Sequence, residues 1–164
     1  EVEGQAVEFG AHGYDQVVFR FAPNPGEPMQ PLARIASGGE LSRVSLALQL
    51  AARGEEVAGG PTLVFDEVDA GIGGAEGAAL GKKLQRLARR GQIVAITHLA
   101  QVASFGNRHL KVAKRVRAGR TFAQVEALDR TARAAEVARM LSGDKVTPLS
   151  ISHAEEMLAA AGAK

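Results

Sequence analysis

The pattern of apolar and polar residues predicts a mixed α/β fold built around one β-α-β unit. Continuous apolar runs at residues 62–65 and 92–97 are typical of strands that are covered on both faces of a parallel sheet. Between these runs, leucines at helical spacing predict a helix over residues 73–90, and a right-handed crossover is expected. Three leucines form the predicted inner face of this helix: Leu80, Leu84 and Leu87.

The segment before this unit predicts a hairpin, a loop and a helix. Residues 7–9 and 17–21 are expected to pair as an antiparallel hairpin, and the proline-rich residues 23–28 form a loop. Helical spacing begins at Leu41 and ends near residues 53–54. The predicted inner face of this helix comprises Leu41, Val44, Leu48 and Ala51, widened by Leu46 and Leu50.

The segment after the unit predicts a second hairpin and two helices. Residues 109–117 and 121–128 form the hairpin around Gly119, and residues 132–141 and 148–161 form the helices. The whole chain therefore predicts parallel core strands with flanking helices plus antiparallel hairpins.

The composition favours one compact domain over residues 1–164, of which 46% are hydrophobic. The absence of cysteine excludes disulfides and cysteine–zinc sites. No apolar run is long enough to span a membrane and the N-terminus has no apolar leader, so a soluble cytoplasmic protein without a membrane partner is expected. The net charge of +2 is too small to indicate nucleic-acid binding by itself. The missing initiator methionine suggests a piece of a longer protein.

Titratable side chains follow both strands of the predicted unit. Asp66 and Glu67 come after the first strand, and His98 comes after the second, so all three are expected at one edge of the sheet. There Asp66 can hold Mg²⁺, Glu67 can orient or deprotonate a water, and His98 can bond a phosphate or polarise that water. The alternative is that Asp66 caps the following turn and Glu67 is solvated.

A glycine pair precedes the first long helix, in the string Ser37-Gly38-Gly39-Glu40. Glycines allow a tight backbone whose N–H groups point outward, and the N-terminus of a helix adds partial positive charge. This element can therefore bind phosphate. The alternative is an ordinary serine N-cap with flexible glycines.

Two further features of the central region concern nucleotide chemistry. Asp69 lies in a glycine-rich loop, where it can bridge two active sites or cap the next helix. No phosphate-cradling G-x-x-x-x-G-K-[ST] loop is present, and the nearest approach, residues 81–83, lies inside a predicted helix. The motifs therefore indicate half of a composite site.

Basic residues cluster on the late hairpin. They are Lys111, Lys114, Arg115, Arg117 and Arg120. Two interpretations stay open: contact with DNA phosphates, or a strand edge that charge keeps in solvent. No aromatic residue is interleaved with these charges in the sequence.

Together these motifs resemble the ATP-binding-cassette ATPases, in the order signature, Walker B, D-loop and switch histidine. Glu40 and Val68 stand where transporter cassettes usually have Gln and Pro, which favours the SMC-like branch. Longer strings are similar to the bacterial RecN family of DNA repair proteins. They are PNPGEP at 23–28, IASGGELSR at 35–43, FDEVDAGIGG at 65–74, ITHLAQVA at 96–103, ARMLSG at 138–143 and HAEEML at 153–158.

The resemblance implies the C-terminal half of an ATPase head whose N-terminal half supplies the Walker A loop. It implies ATP and Mg²⁺ as cofactors, with Glu67 and His98 catalytic and Asp66 at the metal. Five residues would contact nucleotide: Ser37, Gly38, Gly39, Glu40 and Asp69. Of these, the signature residues would contact mainly the nucleotide that is bound to a second copy.

The implied function is ATP hydrolysis by paired heads during double-strand-break repair, with double-stranded DNA and its ends as partner and a nucleoid-associated location in the cytoplasm. By itself the chain is expected to be inactive. The alternative is a non-enzymatic module that dimerises or binds DNA. A nucleotide titration with and without the N-terminal half distinguishes the two hypotheses.

Overall fold

A computed structural model describes residues 11, 13, 17–22, 26–34, 38–52, 60–89, 91–117 and 119–162. The chain divides into two compact units, residues 1–37 and 38–164, and each is described separately. The predicted strand at 7–9, the prolines at 23 and 25, and Ser37 lie outside the described residues. The single domain predicted over residues 1–164 stays a prediction.

In the first unit, two short strands pair antiparallel. Strand β1 (Arg20–Phe21) lies beside β2 (Gln30–Pro31), and a 3-10 turn at Leu32–Arg34 follows. The Leu32 amide donates to the Phe19 carbonyl at 2.8 Å and closes this pairing. The described partner of the predicted 17–21 strand is thus the segment after the proline-rich loop.

The second unit contains the predicted β-α-β arrangement. Strand β3 (Gly60–Phe65) pairs in parallel with β4 (Gly91–Ala95), and helix α2 (Gly74–Ala88) connects them. The inner face predicted for α2 is confirmed, because Leu80, Leu84 and Leu87 are all buried. The α/β prediction is likewise confirmed.

One face of the parallel pair is exposed in the described chain. Both strands were expected to be covered on both faces, yet Val64 is 63% exposed and its neighbour Val94 is 41% exposed. The opposite face packs against α2, where Phe65 and Leu87 join the core. Continuous apolar sequence predicts burial of both faces, but the described chain supplies a covering layer for only one.

Helix α1 (Gly38–Ala52) turns inward the side of the predicted face that Leu46 and Leu50 widen. Leu46 is 2% exposed and packs with Val68 and Leu84, whereas Leu41 and Leu48 are half exposed. Apolar residues occur around most of this helix, so its sequence alone does not select the face that meets the core.

The C-terminal part confirms the second hairpin and both helices. Helix α3 (Ala100–Ala103) precedes strands β5 (Leu110–Arg117) and β6 (Arg120–Ala127), which pair antiparallel. Helices α4 (Arg130–Ser142) and α5 (Pro148–Ala160) then pack on α3 through a second core. Asp129 caps α4 and Thr147 caps α5 through their side chains. Within the described ranges, no helix is long and apolar enough to cross a membrane.

Candidate functional site

The carboxyl ends of the parallel pair bring the predicted carboxylates and histidine to one edge. The Ile96 amide donates to the Phe65 carbonyl at 2.9 Å, which extends the pairing beyond β4. Asp66 and Glu67 leave β3 as exposed residues, and the His98 side chain beyond β4 is 73% exposed. The parallel register thus produces the shared edge that the sequence predicted.

Glu67 has an unusual backbone conformation. Its φ is +52°, and it is the one non-glycine residue in the described part of the chain with a positive φ. A left-handed conformation costs an L-residue about 1–2 kcal/mol, so packing around the loop must hold it in place. This turn sharply redirects the chain between the exposed Asp66 and Glu67 and the buried Val68 and Asp69.

The N-terminus of α1 lies directly against that loop. A Cβ atom on Gly38 would lie 3.3 Å from Glu67 Oε2, and one on Gly39 would lie 2.7 Å from the Cβ of Ala70. Gly39 therefore permits a close approach that a larger residue would prevent, whereas an added Cβ at Gly38 meets only the flexible end of the Glu67 side chain. The helix N-terminus also places its partial positive charge beside the Glu67 carboxylate.

Two side chains that the sequence did not single out fasten α1 to the same loop. Ser42 Oγ donates to the Asp66 carbonyl at 2.9 Å, and an Arg43 guanidinium N–H donates to the Ala70 carbonyl at 2.7 Å. Ser42 and Arg43 lie one helical turn after Gly38 and Gly39, so they face the same way. Together they fix the glycine pair relative to the carboxylates.

Asp69 lies beneath the edge and contacts the segment after β4. The residue is 1% exposed, and its Oδ2 accepts hydrogen bonds from Thr97 Oγ1 and from the His98 amide at 3.0 Å. His98 Nδ1 lies 3.2 Å from the same oxygen. Asp69 does not cap the next helix, because the N-cap of α2 is Gly73 and that cap has no side-chain hydrogen bond.

The nucleotide and metal assignments are not tested by this geometry. Ser37 is outside the described residues, and Glu40 occupies the first turn of α1. No group of three or more acidic or histidine side chains that could hold a metal occurs in the described ranges. Asp66 nevertheless suits Mg²⁺, since this ion is usually held by one or two carboxylates together with substrate phosphates and water.

One face of the late hairpin carries several arginines beside an aromatic residue. Its register places Arg115 opposite Phe122 and Arg117 opposite Arg120, so the three arginines and the phenylalanine share one face. All four are exposed, and no described carboxylate forms an ion pair with the arginines. Along the sequence, no aromatic residue is interleaved with the basic ones. Strand pairing changes that, because residues distant in sequence become cross-strand neighbours.

A buried polar cluster connects this hairpin to α4. Glu136 is 7% exposed and pairs with Lys111 of β5 and with Arg139, and the hydrogen bond from Arg139 is the largest influence lowering its pKa. Burial lowers the pKa of His109, and the charges of Arg133 and Lys111 lower it further against the opposing effect of Glu136. Arg133 donates to three carbonyls at the end of α3 and so ties α4 to the segment that follows His98.

Known proteins that are similar to this chain in sequence are DNA repair proteins named RecN. The protein from Vibrio cholerae is 44% identical over 161 residues, which are 98% of this chain and 29% of that protein. The one from Deinococcus radiodurans is 47% identical over 152 residues, 93% of this chain and 26% of that protein. The chain belongs to the RecN family. The Bacillus subtilis RecN is 40% identical over 157 residues, 96% of this chain and 27% of that protein.

The chain thus spans less than a third of the length of the RecN proteins it matches. No family model matches it. A solved structure from "Structural biochemistry of ATP-driven dimerization and DNA stimulated activation of SMC ATPases" aligns with a TM-score of 0.48 at 19% identity. That alignment covers 73% of this chain and 70% of the other.

Proposed function

We propose that this RecN-family chain is the C-terminal half of an ABC-type ATPase head that acts in DNA repair. One observation carries the proposal: Asp66, Glu67 and His98 meet at one edge of the parallel pair, and Gly38 and Gly39 pack against the same loop. These groups supply a metal ligand, a base, a hydrogen-bonding imidazole and phosphate-binding amides within one chain.

The roles follow from the chemistry of each group. Asp66 would hold Mg²⁺, which neutralises charge on the phosphates when it is bound. Glu67 would orient a water and accept its proton as the water oxygen attacks the γ-phosphorus and ADP leaves. His98 would hydrogen-bond the γ-phosphate or the water. These groups would act on the nucleotide of their own subunit.

The glycine pair would act across a dimer interface. The amides at the N-terminus of α1 would contact the γ-phosphate of ATP bound mainly to a second copy, together with Ser37 and Glu40. The G-x-x-x-x-G-K-[ST] loop is absent from this sequence, so the N-terminal half of the same protein would supply it. The exposed face of β3 and β4 around Val64 and Val94 is consistent with cover by that half.

The partners of the whole protein are proposed on the same basis. The curated relatives are named DNA repair proteins, which supports DNA as the partner and DNA repair as the process. Double-strand-break repair is the process that the family resemblance implies. A location in the cytoplasm on the nucleoid would follow from that role. Hydrolysis is expected only when the second half and a second head complete the site, so the isolated chain should be inactive.

Replacing Glu67 by Gln in the full-length protein tests the catalytic assignment. The amide keeps the shape of the side chain but does not accept a proton, so single-turnover hydrolysis should fall about 10²- to 10⁴-fold. ATP affinity should stay unchanged, because the substitution leaves the phosphate contacts in place. Glu126→Gln, on the exposed strand β6, is the matched control and should hydrolyse at the wild-type rate. Undiminished hydrolysis by Glu67→Gln would remove Glu67 from the mechanism.

A further inference from the structure

The buried carboxylate of Asp69 is connected to three consecutive residues of the histidine segment. Its Oδ2 accepts hydrogen bonds from Thr97 Oγ1 and from the His98 amide, and His98 Nδ1 lies 3.2 Å from the same atom. Thr97 Oγ1 in turn accepts from the Leu99 amide at 3.0 Å. The carboxylate therefore organises the whole turn that follows β4.

This contact decides which nitrogen of His98 faces the nucleotide side. A carboxylate only accepts hydrogen bonds, so an unprotonated Nδ1 would face it with a lone pair at 3.2 Å, and a protonated Nδ1 is favoured beside Asp69. Nε2 is then the nitrogen left to the outside, and the His98 side chain is 73% exposed whereas that of Asp69 is 2% exposed. Nε2 accepts from a water when the ring is neutral, and it donates to a phosphate oxygen when the ring carries a second proton.

We infer that Asp69 is a positioning residue for His98, which fixes the orientation and the tautomer of the imidazole from within the same chain. The catalytic consequence rests on the function proposed above, but the tautomer does not. The carboxylate of Asp69 thus has a task other than direct contact with nucleotide, because the residue is 1% exposed and its Oδ2 already accepts from Thr97 and His98.

The loop that contains Asp69 also connects His98 to the N-terminus of α1. Asp69 belongs to the loop against which Gly39 packs, since Gly39 approaches both Glu67 and Ala70. A shift of α1 relative to this loop would therefore reach His98 through one buried carboxylate.

The first experiment measures the tautomer directly in full-length protein with ¹⁵N-labelled histidine. His98 is assigned by the signal that disappears in His98→Gln. Wild-type protein should show Nδ1 protonated, and Asp69→Ala should lose that preference. An Nε2-protonated, neutral ring in the wild type, or a signal unchanged by Asp69→Ala, would overturn the inference.

The second experiment is a double-mutant cycle in single-turnover ATP hydrolysis. Asp69→Asn keeps an oxygen for the Thr97 and His98 donors but removes the charge, and hydrolysis should fall about 10- to 100-fold, as for other supporting residues. In a His98→Ala background the same substitution should change the rate by less than about twofold. Asp144→Asn, an exposed residue, is the matched control and should not change the rate in either background.

The outcomes separate this inference from the proposed function. A full additional loss in the His98→Ala background would show that Asp69 does not act through His98. A large loss of ATP affinity in Asp69→Asn would instead indicate direct nucleotide contact and would also contradict the inference. If His98→Ala alone hydrolyses normally, the proposed catalytic role of His98 fails, and the tautomer measurement decides the case of Asp69.

Discussion

Gly39 and Ala70 approach so closely that a Cβ atom on Gly39 would lie 2.7 Å from the Cβ of Ala70 and 3.2 Å from its carbonyl oxygen. No side chain fits at that distance unless the backbone of one element moves. The approach joins the start of α1 to the loop that carries Glu67 and Asp69. Packing thus requires glycine at this position, independently of nucleotide binding.

Gly39→Ala should therefore separate α1 from the loop. Overpacking of this kind costs about 1–3 kcal/mol, which should appear as faster hydrogen exchange in the first turn of α1 and as slower ATP hydrolysis. Gly73→Ala is the matched control, because Gly73 has an ordinary φ and nothing within 4 Å of its added Cβ. It loses the preference for glycine over alanine at a helix N-cap, but that loss falls on α2 and should leave exchange in the first turn of α1 unchanged. Equal exchange rates in both variants would show that the close approach is not present in solution.

The arginine face of the hairpin offers a test of the two interpretations of its charge. Replacing Arg115, Arg117 and Arg120 by Gln removes three exposed cations that share one face. If each contacts a DNA phosphate, the slope of log affinity against log salt should decrease in magnitude by about 3. Phe122 beside them suits stacking on an exposed base at a DNA end.

The control for the hairpin is the same charge change on α2, at Lys82, Lys83 and Arg86, which are also exposed. Its salt slope should equal that of the wild type if the effect is local. An unchanged slope in the hairpin variant would favour the other interpretation, in which the charges only keep a strand edge in solvent.

His109 predicts a dependence of stability on pH. Burial lowers its pKa below 6.5, and Arg133 and Lys111 add to the effect while Glu136 opposes it. The unfolded chain therefore takes up a proton before the folded protein does, and stability falls as the pH drops below 6.5. Urea unfolding above and below that pH measures the free energy of unfolding. This free energy should fall less for His109→Gln than for the wild type.

His153→Gln serves as the control for this titration, since His153 is exposed on α5. Its stability should follow the wild-type dependence on pH. Glu136 adds a separate loss at lower pH, because the stability that its lowered pKa provides is present above its ordinary value of 4.5 and disappears as the carboxylate is protonated. A wild-type curve that is flat just below pH 6.5 would contradict the assignment to His109.

The pattern of the sequence was sufficient to predict the central β-α-β unit and its edge. Leu80, Leu84 and Leu87 recur with helical spacing, and such local periodicity survives into the folded state because it depends only on backbone geometry. The positions of Glu67 and His98 followed equally from sequence, since the carboxyl ends of two parallel strands must lie at one edge.

Which surfaces and side chains meet became known only from the folded chain. Leu46 rather than Leu48 enters the core because the neighbouring loop selects one face of a helix that is apolar on several. Asp69 contacts His98, which lies 29 positions further along the chain, and no local pattern encodes that contact. Spacing along the chain fixes which residues share a face, but the partner of that face, and hence the task of a buried carboxylate, depends on how distant elements pack.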